Sequence, residues 1–354
     1  MRFKKLFLMA FLLFLTVAVT GCSISIGSSS KNRDGGVWKS DDGGKTWNQK
    51  VAMASVKGEV NISKVGVANM VFDPQDNNTI YLSTEKDGIV YTYNGGESWR
   101  QFTYFAKNRV RAVAVDYESK CELFAVAINK VFKSVDCGRS WQSTYYHQND
   151  EVVITDIITD HHNTGIVYIA TSDGEVFKSR NSGETWVAVY RNDKAAFVDL
   201  VADPHNSLVV YVASVSNGIF KTTDGGVNWA SLGAGLESYS GSHKYRSLIV
   251  DNATPGGLIL ISQYGMLRSF DYGASWSIVE LLPEQKNTVV YAVGINPSDS
   301  NIIYYATRTT LLKSSDGGES WSSRKLPFSK AVKNIIVHPE ETATLFMGTY
   351  VPTK

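Results

Sequence analysis

Ser314-Ser315-Asp316-Gly317-Gly318-Glu319-Ser320-Trp321 decides the fold. It reads S-x-D-x-G-x-[ST]-W, and the pattern occurs seven times, at 40–47, 92–99, 134–141, 179–186, 222–229, 269–276 and 314–321. The acidic or amide position is Asp42, Asn94, Asp136, Asn181, Asp224, Asp271 and Asp316, and a glycine follows two residues later in every copy. Each part has a physical task. Asp or Asn accepts backbone N–H groups, the expected donor being two residues on. Glycine supplies a backbone with φ > 0. Tryptophan opens the next strand and buries a large ring. These seven residues are structural turn positions.

Working outward, the Trp-to-Trp spacings are 52, 42, 45, 43, 47 and 45 residues, which is one four-stranded propeller blade per repeat. Within each repeat, apolar runs rich in Val, Ile and Tyr are bounded by turn residues, as in 67–72, 80–84 and 89–92. The chain enters the repeat at a third strand (37–40) and leaves after a first and a second strand (334–337, 345–348). Half a blade at each end makes one whole blade if the ring closes, which removes open sheet edges. The prediction is an all-β, seven-bladed propeller of four-stranded blades, closed by N- and C-terminal strands that share one blade.

The 354 residues carry a formal net charge of +1 and are 43% hydrophobic, which suits a globular core and gives no support for binding nucleic acid through phosphates. Arg2, Lys4 and Lys5 precede an apolar run, 6–19, that ends in Val19-Thr20-Gly21-Cys22. This resembles a bacterial lipobox, so residues 1–22 read as a lipoprotein signal segment with Cys22 as the acylated residue. The polar stretch 23–34 reads as a tether, and 35–354 as a single propeller. The expected location is the extracytoplasmic side of a bacterial cell or outer membrane, with the protein monomeric. Of the remaining cysteines, Cys121 begins one strand and Cys137 lies in the box of the next, nearly opposite if the hairpin turns near Asn129. A disulfide there is worth about 3 kcal/mol by loop entropy; two separate thiols are the alternative.

The box resembles the bacterial neuraminidase repeat, or Asp-box, over nearly the whole mature chain. The arrangement is similar to the propellers of sialidases, xyloglucan-active glycosidases, sortilin-type receptors and photosystem II assembly-factor-like lipoproteins. That resemblance implies a fold and not one function. It also implies that the boxes lie on the outer blade edge, away from the ligand-binding end of the channel. Sialidases use an Arg-Ile-Pro motif and an arginine clamp, and this chain has no Arg-x-Pro. Xyloglucan-type enzymes usually hold substrate between two propellers, and one is read here.

No catalytic set, cofactor site or metal site is read from the sequence. His161, His162, His205 and His338 fall in turns of different blades on the box side, without convergent spacing. The channel-end loops carry the carboxylates Glu85, Asp87, Glu151, Asp173, Asp193, Glu237 and Glu284, and no pair stands out. The long spacings place extra residues at 51–64 and 231–245, both mapped to the channel-end face. That face also collects Arg109, Arg111, Tyr146, Arg191, Tyr245, Tyr264 and Arg308, types favoured in recognition surfaces. The functional expectation is a binding or scaffold propeller with a protein or glycan partner, an assembly factor being one form of it. The alternative is a glycan hydrolase, not a sialidase, working with channel-end carboxylates.

Overall fold

A computed structural model of the protein describes residues 34–54, 61–285 and 288–350. The signal segment, Cys22 and nearly all of the tether lie outside the described residues. Seven four-stranded antiparallel sheets form the ring of a seven-bladed propeller. Blade 1 uses both chain ends: Val37–Ser40 pairs with Leu345–Thr349 on one side and Asn48–Lys50 on the other, and Val332–Val337 is its inner strand. Blades 2 to 7 follow in chain order at 67–101, 112–146, 154–191, 197–231, 245–278 and 292–325. Second strands such as Val167–Thr171, Val210–Ser214 and Leu258–Ser262 are buried at every residue, which is why they read as unbroken apolar runs.

The core is distributed around the ring. Seven apolar clusters each draw residues from two neighbouring blades; Tyr211 and Ile219 of blade 5, for example, pack with Leu258, Leu267 and Trp276 of blade 6. No blade has a core of its own, so a blade's stability comes from its neighbours.

Three polar devices repeat around the ring. In the box, the carboxylate does not take the N–H two residues on. Asp316 Oδ1 accepts the Ser320 N–H at 2.9 Å, and Oδ2 accepts the Ser320 hydroxyl. The Gly318 N–H goes instead to Ser314 Oγ at 2.8 Å, while the Ser314 hydroxyl donates to Asp316 Oδ1 at 2.7 Å. The cause is the backbone: φ is 77° at Gly317 and 99° at Gly318, which turns the second N–H back toward the buried Ser314. The indole N–H of Trp141, Trp186 and Trp276 donates to the glycine carbonyl of its own turn, whereas Trp99 and Trp321 reach Lys50 and Glu280 in the preceding blade.

The Asx-type turn expected in the box occurs at the end of the inner strands. Asp73, Asp116, Asp160, Asp203, Asp251 and Asn296 each accept the N–H two residues on. In blade 1 His338 takes this role, its Nδ1 accepting the N–H of Glu340 at 3.2 Å and of Glu341 at 2.9 Å. The third device is a cation just before the box. Lys178, Lys221 and Arg268 donate to the box carbonyls of Gly225, Tyr272 and Gly317 in the following blade. Arg268 also pairs with buried Asp251 at 3.1 Å and donates to the Ser300 carbonyl at 2.8 Å.

Cys121 and Cys137 are joined as a disulfide, Cα atoms 4.0 Å apart, and the Cys137 N–H donates to the Cys121 carbonyl at 3.1 Å. Among the described residues no helix is long and apolar enough to cross a membrane.

Candidate functional site

The inner strands line the central channel, and their first residues surround the mouth opposite the boxes. Each of these strands opens with a bulge. Register shifts leave Ala68, Thr155, Val198, Arg246 and Lys333 as the extra residue in five blades. In blade 3 the Arg111 N–H donates to Val126 while Ala112 pairs with the same residue, and in blade 7 Tyr291 and Ala292 share Ala306 in the same way. A bulge sets two consecutive side chains against one partner and re-aims the strand. The bulged residues are half-buried or exposed, although the residue before each is buried. Three of the seven are cationic: Arg111, Arg246 and Lys333.

The residue after the bulge forms a second ring, with Asn69, Asp156, Asp199, Ser247 and Asn334 at five of its positions. Asp156 and Asp199 face one another in this ring. Asp156 also accepts the Leu200 N–H at 2.8 Å and the Ile157 N–H at 2.9 Å, and the Tyr245 hydroxyl donates to Asp199. Burial, then the charge of Asp199, pushes Asp156 well above the usual carboxylate range. Burial also raises Asp199, against the pull of the Tyr245 hydroxyl, of Asp156 and of the Lys333 charge. Both shifts favour one proton held between the two carboxyls, on Asp156. Beside it a cavity of about 180 Å³ runs toward the box-side end of the channel, past Val113, Tyr117 and His161. His161 stacks on Tyr117, ring centroids 4.1 Å apart, and burial pushes it down to about 4.

A second polar cluster lies off the channel axis on the same face, where blades 3 and 4 meet. His147 Nε2 is 3.5 Å from Glu175 Oε2 and 3.9 Å from Asp173 Oδ2. Arg191 reaches Glu175 Oε1 at 3.4 Å and Asp193 at 2.6 Å. Among the described residues this is the group of imidazole and carboxylates close enough to share a metal ion.

The residues expected on this face are not all alike. Arg111 is in the bulged ring. Arg109 pairs with Glu85 at 3.0 Å, Arg191 belongs to the off-axis cluster, and Tyr146 and Arg308 are exposed. Tyr264 packs edge-on against Tyr239. Tyr245 differs from the expectation: it is buried in the channel wall, because a phenol there can satisfy the half-buried Asp199. The insertion at 231–245 is likewise not a projecting loop. Leu232 and Leu236 are buried in the junction of blades 5 and 6, and the Tyr239 hydroxyl donates to the Trp276 carbonyl at 2.5 Å. The described parts of 51–64 run sideways to blade 2, where Trp99 exchanges backbone hydrogen bonds with Ala52 and Ala54. Asp156, Asp199, Glu175 and Lys333 went unread in the sequence. Their signal is positional, the first three residues of an inner strand or the middle of a hairpin.

A family model described as Sortilin-Vps10 (sortilin, neurotensin receptor 3) matches residues 129–262. No curated protein matches the chain. Among solved structures, a GH74 enzyme of Niastella koreensis superposes with a TM-score of 0.65 at 16% identity, over 85% of this chain and 53% of that one. The GH74 xyloglucanase of Xanthomonas campestris gives 0.65 at 15%, over 81% and 51%. YCF48 bound to D1 peptide gives 0.63 at 18%, over 82% of this chain and 94% of that one. The chain thus spans about half the length of the two GH74 enzymes and nearly all of YCF48. At these identities the likeness is one of fold, that of a β-propeller shared by enzymes and by a peptide-bound protein.

Proposed function

We propose that the protein is a lipid-anchored, extracytoplasmic binding propeller. It presents its channel mouth to an extended, anionic segment of a partner protein, in the manner of an assembly factor. The observation that carries this reading is the bulged ring. Arg111, Arg246 and Lys333 stand on blades 3, 6 and 1 around one opening, above an acid pair whose burial and proximity favour giving up a charge. A rigid scaffold with cations around a mouth favours a ligand carrying carboxylates. The likeness in fold and length to YCF48 bound to D1 peptide supports a peptide over a glycan.

The second reading is a glycan hydrolase, favoured by the likeness in fold to GH74 enzymes. Glycoside hydrolysis needs two carboxyl groups about 5 Å or more apart, with the sugar between them. Asp156 and Asp199 touch each other and are committed to Leu200, Ile157 and Tyr245, which leaves no such gap.

Fluorescence anisotropy with labelled acidic peptides tests the first reading. The expected result is binding that weakens steeply with salt and falls at least about tenfold when Arg111, Arg246 and Lys333 are together changed to Glu, the scale of one lost charge-assisted contact or more. Binding indifferent to that change would sink the proposal. Turnover of a glycan library that is lost on replacing a channel-end carboxylate, as in Asp87→Asn or Glu151→Gln, would install the second reading. The anchor is tested separately: Cys22→Ser moves the protein from the membrane to the soluble fraction.

A further inference from the structure

We propose that His147, Asp173 and Glu175 form a binding site for a zinc-type divalent cation at the junction of blades 3 and 4. The inference is independent of the channel mouth and rests on how the three side chains are held. Each has one ligand atom engaged elsewhere and one turned toward the others. Asp173 Oδ1 takes the Thr171 hydroxyl at 2.6 Å, leaving Oδ2 facing His147. Glu175 Oε1 takes Arg191, leaving Oε2 facing His147. His147 Nδ1 accepts the Asn149 N–H at 3.2 Å and also lies 3.3 Å from the Asn149 carbonyl; the carbonyl gives a hydrogen on Nδ1 a partner, so a cation that takes Nε2 shifts the ring to that tautomer at the cost of the N–H contact.

Such outer partners are what orient ligands in metal sites. The three inward atoms lie within 4.8 Å of one another. A tetrahedral centre with bonds of about 2.1 Å needs its ligands about 3.4 Å apart. The separations of 3.5 and 3.9 Å from the imidazole are already near that figure. Closing the carboxylates needs only side-chain rotation at Asp173, which is exposed.

The backbone fits the same purpose. Asp173 and Glu175 flank Gly174, whose φ is 90° and where a Cβ would sit 2.2 Å from the Asn192 carbonyl oxygen. That glycine lets the hairpin fold tightly enough for both carboxylates to face one imidazole. Arg191 stays clear of the inward oxygen because its shorter contact, 2.6 Å, is with Asp193. One imidazole and two carboxylates suit Zn²⁺ or Co²⁺, with the remaining position left to water or a carboxylate oxygen of a ligand. Calcium, which wants six to eight oxygens, is disfavoured.

Titration of the untagged full chain with Co²⁺, followed by visible absorption and then by displacement with Zn²⁺, tests the site. The expected result is one Co²⁺ bound per chain with a dissociation constant under about 100 µM. Affinity falls at least tenfold in both His147→Gln and Glu175→Gln, and a Zn²⁺-dependent rise in melting temperature is lost in the same variants. Both substitutions are near the surface and close in shape, and circular dichroism verifies the fold of each. Failure of Co²⁺ to bind stoichiometrically, binding untouched by both substitutions, or selective binding of Ca²⁺ would each overturn the proposal.

Discussion

At the scale of single residues, the box owes its shape to a buried hydroxyl as much as to the carboxylate that makes it recognisable. Ser314 is 1% exposed and is the acceptor for the Gly318 N–H. Ser314→Ala leaves that N–H buried and unpaired, so we expect a loss of about 1–3 kcal/mol in denaturant unfolding. The carboxylates answer to pH. Asp42 and Asp136 are held at about 2, first by the hydroxyls of Thr46 and Ser140, and Asp224 at about 2, first by the Asn228 N–H. These values lie under the unfolded value of about 3.9, so the stabilisation is present above that value and is lost as pH falls through the folded one. Melting temperature should therefore drop between about pH 4 and pH 2. The drop should be shallower in a chain with Asp42, Asp136 and Asp224 changed to Asn, the residue already present at Asn94 and Asn181. Aspartate, glycine and tryptophan announced this turn in the sequence because few residues can replace them. The first hydroxyl did not, because Ser and Thr are common on any surface and only burial gives them an acceptor role.

At the scale of elements, blades are tied to one another by residues whose types were visible and whose partners were not. A basic residue stands before the box in six of the seven repeats: Lys39, Lys133, Lys178, Lys221, Arg268 and Lys313. Read along one strand it is an ordinary polar residue; three of these are seen to bind a carbonyl of the next blade, some 50 residues further on. Arg268 is the most committed, since it also faces buried Asp251. Arg268→Ala leaves that carboxylate buried without its cation, and we expect a loss of about 3–5 kcal/mol, with part of it recovered when Asp251 is also replaced by Asn, whose oxygen keeps the Ala253 N–H and the Ser300 hydroxyl. Equilibrium unfolding of the two single variants and the double one measures this. The bulges were illegible for a different reason. They occupy the start of an inner strand, where one residue is added without disturbing the apolar pattern, so Arg246 and Lys333 look like strand residues until the register is known. The insertion at 231–245 misled through length alone; Leu232, Leu236 and Tyr239, spaced four and three apart, were the sign of a segment that packs.

At the scale of the whole molecule, the ring count, the four-stranded blades and the shared blade 1 could be read in advance because repeats multiply a weak signal. The channel could not, since Asp156 and Asp199 are 43 positions apart and meet only through the ring's geometry. Their meeting has a pH signature opposite to that of the boxes. Asp156 sits above its unfolded value, so the stability it allows is complete below about pH 3.9 and is lost as pH rises toward the folded value. Asp156→Asn removes the ionisation and can donate to Asp199, but its single carbonyl oxygen keeps only one of the two backbone N–H partners, a loss that does not vary with pH. Its melting temperature should gain on that of the native protein as pH goes from about 5 to about 8, on the wrong side of the carboxylate range for a box effect. A constant difference across that interval would rule out the shared proton. Blade 1 carries a further consequence, in time instead of space. The Thr349 N–H donates to the Gly36 carbonyl at 3.0 Å, across 313 residues of chain. A nascent chain on the ribosome therefore holds one edge of Val37–Ser40 unpaired until Leu345–Thr349 has been translated. Contacts so distant in sequence form slowly, and the waiting edge is an invitation to chaperones or to a second unfinished copy.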